Sequence, residues 1–130
     1  MSTPVRALMR PGVIAISHEA SLLQAMRAML RHGTHAVLLL GARSGRPVGW
    51  VTSRGCLGHV GVDPGLVPAG SAVSEAPVFI DPGASAQDAA LALSQPGVSH
   101  LLVCHHPDSP PEGVVTELDL IAVAAREGGA

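Results

Sequence analysis

Gly113-Val114-Val115-Thr116-Glu117-Leu118-Asp119 and, 64 residues upstream, Gly49-Trp50-Val51-Thr52-Ser53-Arg54-Gly55 are two versions of one phrase. Each runs Gly, two apolar residues, Thr, at the point where a β-branched or apolar run gives way to a stretch that can turn into a helix. The same offset lays Ala20-Ser21 on Ala84-Ser85, Ala25 on Ala89 and Gly33 on Gly97. With one residue inserted after Gly97, His35-Ala36-Val37-Leu38-Leu39 falls on His100-Leu101-Leu102-Val103-Cys104. Self-similarity at a fixed period marks one supersecondary unit used twice.

Working outward from the phrase, each half reads as βαββα. Val13-Ile14-Ala15-Ile16 and Val78-Phe79-Ile80 are short strands closed by polar or Pro-containing turns. A helix follows each. Ser21 and Gln24 have capping-box spacing, and Leu22, Ala25, Met26, Met29 and Leu30 share one helical face before Gly33 stops it. Ser85 with Asp88, then Ala86, Ala89, Ala90 and Leu93 up to Pro96-Gly97, repeat the design. Two strands joined by turns over 41–47 and 105–112 come next, each pair ending at Thr52 or Thr116. Glu117 to Arg126 is a strong helix former with Leu118, Ile121, Ala122 and Ala125 on one face, whereas Ser53 to Val60 carries Gly55 and Gly58 and is a weak one. The expected division is a first repeat over 1–62, a Gly/Pro-rich linker over 63–70 and a second repeat over 71–130. Leu22, Met26, Met29, Val37, Leu39, Leu91, Leu93, Leu101 and Val103 are the expected core. One such unit covers only one side of its sheet, so two are expected to pack sheet against sheet about a pseudo-two-fold axis and leave ligand-sized clefts.

Composition narrows the functions. The 130 residues carry 10 acidic and 8 basic side chains, a formal net charge of −2, which provides no basic field for a nucleic-acid backbone. With 47% hydrophobic residues, 14% charged residues and a mean hydropathy of +0.37, the chain has ample material for a core. Its apolar runs are far too short for a membrane helix and Met1 to Gly12 lacks a secretory apolar region, so a cytoplasmic address is expected. Cys56 and Cys104 form no metal-spaced cluster and read as reduced, packed thiols. Cys104-His105-His106 reads as a solvated hairpin end rather than a zinc site, because neighbours on a strand point to opposite faces. Nucleophile elbow, Walker loop and paired carboxylates are missing from the sequence, and no enzyme is expected.

The doubled βαββα pattern resembles a tandem pair of CBS domains, a Bateman module. Gly113 through Asp119 matches that family's nucleotide-binding signature of Gly, two apolar residues, Ser or Thr, two residues and Asp. The resemblance implies an adenosine-type ligand, with its base in an apolar slot walled by Gly12, Val13 and Ile14, by Thr34, His35 and Ala36, and by Val114 and Leu118. It also implies phosphate contacts from His35 and His100. The chemistry of Thr116 and Asp119 stands beside that analogy. Thr116 begins a helix, where free N–H groups and the dipole favour a phosphate. Asp119, one turn on, offers a carboxylate to the two hydroxyls of a ribose. In the first repeat Gly55 stands where that aspartate belongs, so one occupied site is expected rather than two.

The expected function is a stand-alone regulatory, energy-sensing module that takes AMP, ADP, ATP or S-adenosylmethionine and needs no other cofactor. It is expected to signal in trans to a protein partner that the sequence does not identify, and to form a homodimer, as the family does. The alternative is a ligand-free dimerisation or scaffold protein in which Thr116 and Asp119 only cap a helix.

Overall fold

The structure is a computed structural model and describes residues 3–128. It has two compact units: Ile14–Pro77, and the residues up to Val13 together with those from Val78 on.

In Ile14–Pro77, β2 (Ala15–Ser17) runs parallel to β3 (Ala36–Leu40), which pairs antiparallel with β4 (Pro47–Thr52). Between them, α2 (Leu22–His32) opens on the expected capping box: Ser21 Oγ accepts from the Gln24 amide at 3.2 Å, and Gln24 Oε1 accepts from the Ser21 amide at 2.9 Å. It closes on Gly33 at φ 63°, a left-handed conformation that glycine adopts without strain. Leu22, Ala25 and Met29 pack on Val37, Leu39 and Val51 from one face of the sheet. Met26 is only half-buried and Leu30 is 84% exposed, because the stripe that faces the sheet is narrower than the apolar stripe of the helix. Beyond β4, α3 (Ser53–Cys56) lasts one turn and passes into a 3-10 turn over Leu57–His59, as the two glycines lead one to expect.

The expected linker, 63–70, and the residues just after it pack against α2. Pro64–Leu66 and Ala69–Ala72 form 3-10 turns laid against α2, with Ala69 and Ala72 in its core. The Leu22 amide donates to Val67 O at 2.7 Å and the Ala69 amide to Ala20 O at 2.8 Å. Prolines fix the backbone and alanines are small enough to pack, so composition that suggests flexibility here produces order. The chain then bridges to Trp50 through Ser74 and Glu75.

The other unit begins with α1 (Val5–Leu8) and the two-residue β1 (Arg10–Pro11), neither of which the repeat pattern announces. It continues with β5 (Phe79–Ile80), α4 (Ala86–Leu93), β6 (His100–Val103), β7 (Gly113–Thr116) and α5 (Glu117–Gly128). The strand order is β1-β7-β6-β5. Ser85 and Asp88 form the second capping box, at 3.0 and 3.1 Å. Val5, Leu8, Ala89, Leu93, Leu101, Val103, Val115 and Val123 make the core. Two expectations fail here. Leu91 is 68% exposed, and the expected apolar face of α5 is turned outward, with Leu118 at 69% and Ile121 at 62% exposed. Leu120 and Val123 pack inward instead, where α5 meets α4 and α1. Apolar residues run almost all the way round α5, so periodicity had two faces to choose from.

The βαββα order holds in both repeats, yet the compact units cut across the sequence repeats. Residues 3–13 complete the unit built from 78–128, while residues 64–77 complete the unit built from 14–63. Val5 N donates to Ala84 O at 2.8 Å and Arg6 N to Pro82 O at 2.9 Å, which fastens α1 to the turn before α4. Among the described residues no helix is long and apolar enough to cross a membrane.

Candidate functional site

The end of β7 and the start of α5 place the signature residues. His100 and Thr116 are opposed across β6 and β7, and Val114 is opposed to Arg10 across β7 and β1. Beyond β1 the chain turns at Gly12, at φ 78°, whose amide donates to Glu112 O at 3.0 Å and holds Val13 near the start of β7. Asp119 turns back on the strand end. Its Oδ2 accepts from the Thr116 amide at 2.8 Å and from Thr116 Oγ1 at 3.1 Å. Its Oδ1 accepts from Arg10 Nε at 3.2 Å. The carboxylate side chain is 10% exposed and the arginine 68% exposed. Thr116 is therefore the cap of α5 through its backbone N–H, with the carboxylate three residues on as acceptor.

Arg10 is the residue that sequence reasoning missed. It lies in no motif, and the repeat register leads 64 residues on to Ser74, whereas the strand pairing puts Glu75 opposite Trp50 as Arg10 is opposite Val114; Ser74 lies beside Thr52 in that unit. There Thr52 Oγ1 accepts from the Gly55 amide at 3.0 Å and lies 3.0 Å from Ser74 Oγ. A β-carbon added at Gly55 would meet Ser74 Oγ at 3.0 Å, Ser74 Cβ at 3.1 Å and Thr52 Oγ1 at 3.2 Å. The space that a carboxylate fills in one unit is thus held by a serine hydroxyl in the other.

Seven of the eleven expected site residues, Gly12, Val13, His100, Val114, Thr116, Leu118 and Asp119, belong to the unit with the full signature. Leu118 points away from that unit's core. Ile14, Thr34, His35 and Ala36 belong to Ile14–Pro77. His35 Nδ1 lies 3.3 Å from Ser53 Oγ, and Thr34 Oγ1 donates to Ala36 O at 3.2 Å. His100 Nδ1 lies 2.7 Å from Ser99 Oγ. At the β6–β7 turn, exposed His105 reaches Glu112 Oε2 at 3.3 Å and His106 reaches Asp108 Oδ2 at 3.7 Å. Among the described residues no three His, Cys, Asp or Glu side chains converge as a metal site.

A second feature takes in two residues of the expected slot, Thr34 and His35, and is otherwise unforeseen. In Ile14–Pro77 an open apolar groove of 570 Å³ runs between α2 and the turn after α3, lined by Met26, Met29, Leu30, Cys56, Leu57 and Val60. The signal lay in the sequence as Leu57 and Val60, apolar residues placed in a weak helix that has no core of its own to fill.

Two βαββα repeats, one ending in an intact Gly-apolar-apolar-Thr-x-x-Asp junction, define a tandem-repeat α/β fold. The family model of the CBS domain matches residues 5–61 and again residues 69–126, and the chain belongs to the CBS domain family. A CBS domain protein of Pyrobaculum aerophilum, solved in complex with AMP, superimposes with a TM-score of 0.83 at 18% identity, over 98% of this chain and all (100%) of that one. The CBS domain of a bacterial CNNM/CorC family magnesium transporter, in complex with ATP, gives 0.78 at 24% identity over 92% and 84%. Hypoxic Response Protein I, with two coordinated zinc ions, gives 0.74 at 26% identity over 92% and 98%. Comparison with curated protein sequences returned no match.

Proposed function

We propose that this chain is a regulatory module that binds an adenine nucleotide or adenosyl ligand, AMP, ADP, ATP or S-adenosylmethionine, at the junction of β7 and α5 and passes the signal in trans to a protein partner. The observation that carries the reading is the Asp119 carboxylate, shielded from water, oriented by Thr116 and flanked by an exposed guanidinium. A ribose diol can share such a carboxylate, and a phosphate can take the guanidinium. The AMP bound by the Pyrobaculum protein and the ATP bound by the transporter domain support the same ligand class. On this reading the module acts by binding, not by turnover. The contribution of His35, His100 and the apolar residues around the base belongs to the same proposal.

A second reading, a ligand-free scaffold, is favoured by one fact: Asp119 already accepts three hydrogen bonds within the protein. In either case the protein acts as a homodimer. Support comes from outward-facing apolar side chains: Leu30, Leu57, Val60, Leu118 and Ile121 are each more than 60% exposed. Light scattering at tens of micromolar is expected to give twice the chain mass, and a monomer mass overturns the dimer. Thermal unfolding with each of the four ligands separates the first two readings, because a ligand at a hundred times its dissociation constant adds about 2.7 kcal/mol of apparent stability. If none of the four raises the melting temperature, and calorimetry at millimolar ligand detects no heat, the scaffold reading stands.

A further inference from the structure

We infer that Arg10 is a specificity-determining residue by which this site prefers phosphorylated nucleosides to bare ones; the inference rests on the adenosyl-binding reading of Asp119. Arg10 Nε donates to Asp119 Oδ1, the one carboxylate oxygen that Thr116 leaves unused. Ribose hydroxyls that approach Asp119 compete with the guanidinium for that oxygen. A nucleoside that displaces Arg10 leaves it without its anion. A nucleotide gives it another, since a guanidinium forks onto phosphate as well as onto carboxylate. The pair therefore acts as a latch that phosphate releases.

Two features hold the latch in place, and a third exposes it to ligand. The Arg10 backbone lies against β7, where Arg10 and Pro11 oppose Val114 and Gly113. Gly113 makes that approach feasible: a β-carbon there would run into the Arg10 carbonyl oxygen and come within 2.8 Å of Met9 Sδ. The first glycine of the signature is thus what brings Arg10 to the last residue of the signature. Exposure is unequal, with the arginine side chain 68% and the aspartate 10% exposed, so a ligand phosphate in solution meets the guanidinium before the sugar meets the carboxylate.

The other repeat supplies the control. By strand pairing Glu75 stands opposite Trp50 as Arg10 stands opposite Val114, and Gly55 takes the place of Asp119, so the arginine and the aspartate are missing together and the Ser74 hydroxyl fills the space. A carboxylate kept only as a helix cap would not need the arginine. An arginine kept only for solubility would not need the aspartate.

Calorimetry of the intact protein with AMP and with adenosine tests this. Wild type is expected to bind AMP more tightly than adenosine. In Arg10→Gln, AMP binding is expected to weaken by about tenfold, while adenosine binding holds or tightens a few-fold because its competitor is gone. Arg10→Lys keeps the charge but not the planar fork and is expected to fall between the two. Far-UV circular dichroism and the melting temperature establish that each variant is folded. A structural role for Arg10 would weaken both ligands alike. If the ratio of AMP to adenosine affinity in Arg10→Gln equals that of wild type, the inference is overturned while the adenosyl-binding reading stands. If wild type binds neither ligand, that reading falls and the latch with it.

Discussion

Asp119 carries more of this molecule than its position in a helix suggests. It satisfies the otherwise unpaired Thr116 amide and hydroxyl at the start of α5 and holds Arg10 at the strand edge. Asp119→Ala is expected to lower stability by about 0.5–2 kcal/mol, the range for loss of a helix cap. Most of that belongs to the shielded bonds with Thr116, because an ion pair to an exposed arginine contributes about 0–1 kcal/mol. Urea unfolding with an unchanged slope measures it, and a midpoint equal to wild type contradicts the capping role. The same substitution is expected to weaken an adenosyl ligand by roughly 1.5–3 kcal/mol, a ten- to hundredfold loss. The two thiols make a separate point. Burial pushes Cys56 and Cys104 above their ordinary value, and at Cys104 the Glu112 and Asp81 carboxylates push the same way against a backbone hydrogen bond at His106. An acid whose folded pKa is raised contributes stability that is complete below its unfolded pKa, about 8.5, and is lost as pH rises through the folded value. Stability is therefore expected to decline above about pH 8.5, and native thiols to react slowly with a thiol reagent until the chain unfolds. Native labelling at the rate of the unfolded chain contradicts this.

At the scale of elements, two glycines decide whether a segment can dock. A β-carbon at Gly49 would meet Val73 Cγ1 at 2.5 Å and Glu75 O at 2.8 Å, as one at Gly113 would meet Met9 and Arg10. In both cases the obstacle includes backbone, which cannot turn aside. Gly113→Ala is expected to cost about 1–3 kcal/mol and to detach β1 from β7, and loss of slow exchange at the Gly12 amide reports the detachment. A variant as stable as wild type would mean that the strands have room to part. The sequence made much of this scale legible. Both capping boxes, the Gly33 stop and the two hairpins follow from local chemistry, which is why Ser21, Ser85 and Gly33 do what their types suggest. What depended on distant partners was not legible. Nothing local says that α1 belongs with α4 and α5, that 64–77 packs on α2, or which face of α5 turns inward. The candidate site divides along the same line: Thr116 and Asp119 are readable as a pair three residues apart, but Arg10, separated from Asp119 by most of the chain, is not.

For the whole molecule, the reciprocal exchange of segments is the controlling feature. Val5 and Leu8 are core residues of a unit whose other core residues all lie from Ala89 on. Leu8→Ala is expected to destabilise the protein by about 2–5 kcal/mol, as a cavity in a buried core does. Leu91→Ala, on the exposed side of α4, is expected to stay within about 0.5 kcal/mol of wild type. Circular dichroism during urea unfolding measures both, and equal effects would refute the placement of α1 in the core. The exchange also sets an order of events. Residues 3–13 leave the ribosome before the chain that completes their sheet exists, whereas Ile14–Pro77 holds all of its own partners once its last residue has emerged. Whatever meets residues 3–13 must first span the intervening 64 residues, and that wait is shortest when those residues have already folded. In pulse-labelled hydrogen exchange, the amides of Val5 and Arg6, bonded to Ala84 and Pro82, are expected to gain protection together with that of Leu102 and after that of Leu38. Protection of Val5 ahead of Leu38 would reverse the order. An earlier part of the chain is thus the later part to be placed, and a ribosome that pauses between Pro77 and Val78 would carry one finished unit and an unmatched leading segment.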